Sequence, residues 1–382
     1  MRVFIRPLLL FVGGLLVMGL LCGGLLFSIS GQQPVTYVQA QLSRFTLFTR
    51  TDDLNRTVSD DAGNVGFVIE PGDFPAVIAQ NLFDSALITD PELFVDYVSV
   101  YGLDVHLEAG EYCLNPAQTI PEIAEALTDA RKRQFPFRIL AGWRLEEIAD
   151  IIDRTTFFDD TFSGDAFLAA AGVPVDNAEA DPTLPALGSG IDPTFAAWVE
   201  LPEGQSLEGF MLPAIHPLCP DITPEELVEI LTKRFREVIE PLLPDDPELP
   251  SVYEIVTLAS IIQREAIHTD EYPMIASVYL NRIDIGMKLD ADPTVQYSLG
   301  TEGNWWPQIT QADYANTELA YNTYRPDVPV PPGPIANPSR LAIEAVLAPE
   351  STNFLYFRVE CGGSGYHVFA RTFAEHLANA CE

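Results

Sequence analysis

Between residues 252 and 300 the apolar positions fall into two helical stripes and then stop. Ile255, Leu258 and Ile262 recur at helical spacing, and Glu265 continues the same stripe one turn later. Gln263 and Arg264 fall on other faces. A second helix is predicted after it, with Thr269 or Asp270 as cap, Pro273 in the first turn, Ile275, Val278, Tyr279 and Arg282 on one face, and Gly286 at the end. Residues 289–297 then read as a polar loop. A carboxyl group carried on an apolar stripe points where that stripe points. Burial disfavours its charged form and lets it hold a proton to higher pH, as a general acid must. The competing reading is a helix-end glutamate that reaches water or pairs with Arg264 or Arg282.

The rest of the chain yields further elements. Residues 7–29 form an uncharged apolar run preceded by Arg2 and Arg6. Such a run is long enough to cross a bilayer core of about 30 Å, and the flanking arginines place the N-terminus in the cytoplasm. A cleaved signal peptide ending near residues 28–30 is the alternative. Residues 31–65 are polar and predict a linker, with one strand around residues 45–48. Residues 66–130 alternate strand, turn, two helices, strand and a helix capped by Thr119. Residues 131–163 look like a partial repeat of that plan, with a strand over 135–140, a turn at 141–143 and a helical face on Leu145, Ile148, Ala149 and Ile152. Residues 172–198 are rich in Asp, Pro and Gly without period and predict a loop insertion. Thr223 opens a helix, residues 339–348 form another, and residues 354–359 and 365–369 predict a hairpin.

Composition narrows the class. Of 382 residues, 47% are hydrophobic and 20% charged, which suits a globular chain. The net charge of −34 lacks the basic footprint of a nucleic-acid binder, and none is expected as a partner. Cys22 lies in the apolar run; the four others allow disulfides in an oxidising compartment, with Cys361–Cys381 preferred and Cys113–Cys219 as the remaining pair. No C-x-x-C occurs, and the single Glu-x-x-His at 265–268 has no second copy, so neither a metal nor a cofactor is expected. Trp305 and Trp306 are read either as a stacking platform for a sugar or as a hydrophobic patch over the core.

Ordered strings carry a resemblance. ASIIQRE, IASVYLNR and IGMKLDADPTVQY in the central stretch, LPEGQSLEGF at 201–210, and YNTY with PPGPIANP at 321–338 are similar to the signature of the endolytic murein transglycosylases, the YceG-like (MltG) family. The match fails at Ala214, Ile215 and His216, where the family carries Asp-Thr-Tyr, and at Tyr366, where it carries Gly before the histidine. His216 then reads either as a substitute hydrogen-bond donor or as a loop histidine without a role. The resemblance implies an α+β chain with an N-terminal transmembrane helix (1–30), a linker, a LysM-like small αβ domain (66–130) and a mixed α/β catalytic domain (131–382). It implies Glu265 as catalytic acid/base, cutting within peptidoglycan strands without water to leave 1,6-anhydro-muramic ends. The substrate-binding set expected around it is Asn281, Asp292, Thr294, Gln296, Tyr297, Asn322, Tyr324 and His367. Peptidoglycan strands, the cell-wall synthesis machinery and the membrane are the implied partners, with the catalytic domain outside the inner membrane. Two other readings stand beside it: a non-catalytic glycan-binding anchor, and a hydrolase pairing Glu265 with Asp290 or Asp292.

Overall fold

The computed structural model describes residues 34–60, 63–129, 134–158, 162–173, 188–219, 222–246 and 248–381. The apolar run at 7–29 and the middle of the 172–198 insertion lie outside these residues. No helix among the described residues is long and apolar enough to cross a membrane. The chain divides into two compact units between Gln134 and Phe135.

The first unit departs from expectation at its start. Instead of a linker with a strand, helices α1 (Pro34–Thr49) and α2 (Thr51–Leu54) occupy most of 34–54. They are held because Leu47 and Leu54 are buried in this unit's core, where they remove apolar surface from water. Strand β1 (Val65–Ile69) follows, then α3 (Pro75–Asp84), α4 (Pro91–Tyr101), β2 (Gly110–Leu114) and α5 (Ile120–Ala126). Ser43 donates to Asp96 at 2.6 Å and Arg50 pairs with Asp90 at 2.8 Å, which ties α1 and its end to α4. Strands β1 and β2 are antiparallel, with Val65 opposite Leu114 and Ile69 opposite Gly110. The strand, two helices, strand and final helix of 66–130 follow the expected order, and Thr119 caps α5 in a reciprocal box with Glu122.

The second unit is mostly helical. Strand β3 (Phe135–Arg138) leads through a turn to α6 (Leu145–Arg154) and α7 (Gly164–Ala170). Helix α8 (Pro193–Val199) ends the stretch expected to be loop; Asp192 caps it by accepting from Thr194 N–H at 2.8 Å, and Pro193 sits where no N–H is needed. Strand β4 (Ile215–Leu218) pairs antiparallel with β3, placing His216 opposite Phe137. His216 is therefore not in a loop. It is buried, its Nε2 is 2.9 Å from the Leu212 carbonyl, and burial lowers its pKa.

Helices α9 (Pro224–Ile239), α10 (Val252–Glu265), α11 (Tyr272–Asp284) and α12 (Asp292–Leu299) follow, then α13 (Gln311–Tyr314) and α14 (Arg340–Leu347). Helix α10 is buried on every side from Ile255 to Ile262, as befits a central helix packed by α11, α12 and α14. Two local expectations fail here. Neither Thr269 nor Asp270 caps α11; they form a short 3-10 turn, and Glu271 takes the cap position without a side-chain bond. The expected polar loop at 289–297 becomes helical from Asp292, because Pro293 tolerates the first turn while Thr294 and Val295 bury their side chains. Gly286, at φ 67°, ends α11 as predicted, and Met287 N–H returns to the Arg282 carbonyl at 2.8 Å. The chain closes with hairpin β5 (Tyr356–Val359) and β6 (His367–Ala370), then α15 (Phe373–Ala378). The disulfide Cys361–Cys381 is present, with Cα atoms 5.4 Å apart.

Candidate active site

Glu265 is the last residue of α10. The residue is half-buried. Two causes raise its pKa to about 7: burial first, then the negative charge of Asp292. Two oppose them. Tyr279 Oη–H donates to Glu265 Oε1 at 2.5 Å, and the Arg282 charge favours the anion from farther off. Neither arginine considered as its ion-pair partner takes that role. Arg282 is buried, donating from Nε to the Leu355 carbonyl at 2.6 Å and from Nη1 to the Leu289 carbonyl. Arg264 turns to the Gly142 carbonyl and the Trp306 ring. Glu265 is thus left with a tyrosine for company and is close to half-protonated at neutral pH.

Tyr279 sits on the apolar face of α11, almost wholly buried, with its ring edge-on to Phe357. Its own pKa is driven up by burial and by Glu265, so it stays a donor. Asp292 opens α12 and is exposed; its carboxylate accepts from Tyr324 Oη–H at 2.5 Å and Tyr314 Oη–H at 3.3 Å. Asp290 just before it adopts φ 46°, an uncommon conformation for a residue with a side chain, and pairs with Lys288 at 3.1 Å. Glu265, Tyr279, Asp292 and Tyr324 therefore form one polar edge on an otherwise apolar helical body.

The remaining expected substrate contacts lie elsewhere or are spent on the chain. Asn322 is fully buried and donates to the carbonyls of Asp313, Tyr314 and Asn316. Thr294 is fully buried against Thr323 and the Ala291 carbonyl. Asn281 donates to the Thr352 and Phe354 carbonyls, and Gln296 to that of Pro307. His367 faces Glu271, accepting or donating at Nδ1 over 2.9 Å while its backbone N–H donates to the other oxygen at 2.8 Å. Tyr297 lies under the Arg144 guanidinium, 4.0 Å from ring centre. His268, the second member of the Glu-x-x-His, stacks on Tyr366 and bonds the Ser364 carbonyl. Among the described residues no cluster of three His, Cys, Asp or Glu is placed to hold a metal.

The YceG-like family model matches residues 67–382. The chain belongs to this family. It is 29% identical over 332 residues to the endolytic murein transglycosylase of Bacillus subtilis strain 168, covering 83% of this chain and 84% of that one. It is 24% identical over 305 residues to the endolytic murein transglycosylase of Streptococcus pneumoniae strain D39, covering 76% of this chain but 53% of the longer relative. It is also similar to a crystal structure of a yceG-like protein from Listeria monocytogenes, at 26% identity and a TM-score of 0.49 over 83% of this chain and 99% of that one.

Beside Glu265, this YceG-like chain builds a second polar group that the sequence did not single out. Glu208, from the LEGF string, is buried. Its Oε2 accepts from Leu145 N–H at 3.2 Å and its Oε1 from Gly209 N–H at 3.2 Å. Burial and the nearby Glu146 nevertheless push it up to about 8, against the pull of Arg144. Arg144 is nearly buried, pairs with Glu146 at 2.7 Å, and lies over Tyr297 and Trp305. Asn337, from the proline-rich loop, accepts from Met211 N–H at 2.8 Å and donates to the Trp143 carbonyl at 2.9 Å. That loop docks on α10 itself: Ser260 Oγ accepts from Ile335 N–H at 3.0 Å and Gln263 Oε1 from Ser339 N–H at 2.9 Å. These bonds fix the end of α10, and so Glu265, in register with the 141–146 and 206–211 segments. The two tryptophans are half-buried, and each indole N–H is bonded to a carboxylate of α6: Trp305 to Asp150 at 2.8 Å, Trp306 to Glu147 at 3.0 Å.

Proposed function

We propose that this chain is a lytic transglycosylase of peptidoglycan, cutting the bond between N-acetylmuramic acid and N-acetylglucosamine within glycan strands. The observation that carries the reading is Glu265: a carboxyl with its pKa raised to about 7, ending the central helix of a YceG-like chain. The two relatives named as endolytic murein transglycosylases support the substrate and the reaction. In the reaction, Glu265 gives its proton to the bridging oxygen as the C1–O bond breaks. The C6 hydroxyl of the same muramic sugar then closes on C1 and returns its proton to the Glu265 carboxylate. One carboxyl serves both steps, no water is consumed, and the product ends in a 1,6-anhydro ring. Tyr279 steadies the anion that exists between the two proton transfers, because a hydrogen bond to a charged acceptor is the stronger kind.

Asp292 and Tyr324 are assigned to the glycan side of this edge, while Asn281, Gln296, Tyr297 and His367, which are engaged within the chain, are assigned to holding its segments in place. Asn322 and Thr294 act by bracing the 313–324 segment against α12. The uncharged run at 7–29 supports a single-pass anchor in the cell membrane, with the N-terminus cytoplasmic and the rest outside. Such an anchor confines cleavage to strands near the synthesis machinery. The strand-and-helix module at 66–130 is read as LysM-like, either as a packing and spacing domain or as a glycan contact.

Mass analysis of digested sacculi tests the assignment. Wild type releases anhydro-muropeptides and Glu265→Gln releases none while melting as a folded protein; anhydro products from the variant would end the reading. The charge of Asp292 near Glu265 favours one alternative, a hydrolase with two carboxylates. Its products would be heavier by one water.

A further inference from the structure

Arg264 stands one residue before Glu265 on α10 and leaves the helix on a different face. Its guanidinium carbon lies 3.7 Å from the centre of the Trp306 ring. Its one hydrogen bond among the described residues is a long contact from Nη1 to the Gly142 carbonyl at 3.4 Å. No carboxylate among the described residues lies within 4.0 Å of its nitrogens. Arg264 is half-buried, and none of those nitrogens is fully sealed in without a partner. The acid that acts on it from farther away, Glu147, is already engaged by Trp306 Nε1–H and the Arg144 N–H. In a chain with 55 acidic and 21 basic residues Arg264 shares this lack of an acidic partner with Arg282 and Arg358, which spend their donors on carbonyls instead. Arg50, Arg144, Arg236, Arg325 and Arg340 all sit on carboxylates.

The fold also makes room for it. Gly142 has φ +82°, and a Cβ there would come within 3.2 Å of both Cδ and Nη1 of Arg264. A guanidinium laid flat on an indole keeps its fork free and preset for a bidentate carboxylate, and it loses little rotamer freedom on binding one. Glu265 is the next residue along, so the two side chains emerge within roughly one helix diameter, about 10 Å, of each other. The muramic sugar whose bond is cut carries, on its lactyl arm, a peptide stem with free carboxylates.

We infer that Arg264, held on Trp306 and over Gly142, is the subsite for a carboxylate of that peptide stem. The assignment rests on the transglycosylase reading for its substrate. It makes the enzyme selective for stem-bearing strands over bare glycan. The test is binding, in the cleavage-silent Glu265→Gln protein, of glycan strands with intact stems and of the same strands with their stem carboxylates converted to amides. Intact strands are expected to bind at least tenfold tighter. Adding Arg264→Gln should erase that preference, and Arg264→Lys, which keeps the charge without the fork, should retain only part of it. Equal affinity for both strands before the change, or an equal loss on both after it, overturns the subsite. Melting curves report folding; if the Gln variant does not fold, an unchanged preference in Arg264→Lys overturns it instead. Should wild type release no anhydro product while the stem preference holds, the transglycosylase reading fails and the carboxylate subsite stands.

Discussion

Removing the Tyr279 hydroxyl isolates the force that sets the acid. Tyr279→Phe keeps the buried ring against Phe357 and deletes only the donor to Glu265 Oε1. That donor favours the carboxylate, so its loss must raise the glutamate's pKa further. A hydrogen bond to a charged group contributes about 1.5–3 kcal/mol, and one pKa unit corresponds to about 1.36 kcal/mol. The shift is therefore about one to two units, carrying Glu265 from about 7 toward about 8 to 9. The assay is kcat/KM for release of anhydro-muropeptides across pH 5 to 9.5. First-step catalysis needs the protonated acid, so activity falls as pH rises through the pKa of the free enzyme. In wild type that fall is expected near 7, and in Tyr279→Phe it should lie one to two units higher. The rate below pH 6 should drop as well, since the anion between the two proton transfers loses its donor. An alkaline limb that stays in place, or moves to lower pH, refutes the claim that Tyr279 holds Glu265 down.

Three further outcomes follow from buried titratable groups. The folded chain holds the Glu265 proton up to about 7 whereas the unfolded chain releases it near 4.5, so folding stability falls as pH rises between them. Glu265→Gln should escape that loss, melting higher than wild type at pH 8 by at most about 3 kcal/mol and equally at pH 4, as calorimetry at both pH values will show. Glu208→Ala should cost about 2–4 kcal/mol in urea melts, because the Leu145 and Gly209 N–H groups lose their acceptor, while Glu208→Gln should cost much less. His216 behaves oppositely to Glu265: burial lowers its folded pKa below the unfolded 6.5, so the unfolded chain binds the proton first and stability falls as pH drops below 6.5. His216→Gln should flatten that acid-side fall, and an equally steep fall would show that a group other than His216 causes it.

The central helix was legible because its signal is local. Ile255, Leu258, Ile262 and Glu265 announce a stripe in their own spacing, and α10 places the glutamate at its end as that spacing requires. Tyr279 was visible as a member of the α11 face, but its partner was not. The residues at 292–299 were misjudged because Asp, Pro and Thr are turn formers by composition, and only the burial of Thr294 and Val295 turns them into a helix. Residues 34–54 were misjudged for a related reason: the helix rests on Leu47 and Leu54 reaching a core built by later residues.

The polar scaffold behind the acid was illegible for a different reason, and that reason bears on how the site works. Arg144 meets the Tyr297 carbonyl at 2.9 Å, Asn337 meets the Trp143 carbonyl, and Glu208 meets the Leu145 N–H. Each contact joins segments far apart in sequence, so no periodicity records it. Yet buried polar groups of this kind cost too much to leave unpaired, which makes the network cooperative: one missing partner strands the others. The consequence is a division of labour. The apolar stripe of α10 decides which way Glu265 faces, and it tolerates exchange of one hydrophobic residue for another. The bonds of Glu208 and Asn337, with that of Ser260 to Ile335, decide how far along the loop edge that carboxyl stands, and they tolerate almost none. A substitution at Asn337 should therefore lower turnover through position alone, leaving the Glu265 titration where it was, whereas a substitution at Tyr279 should move the titration first.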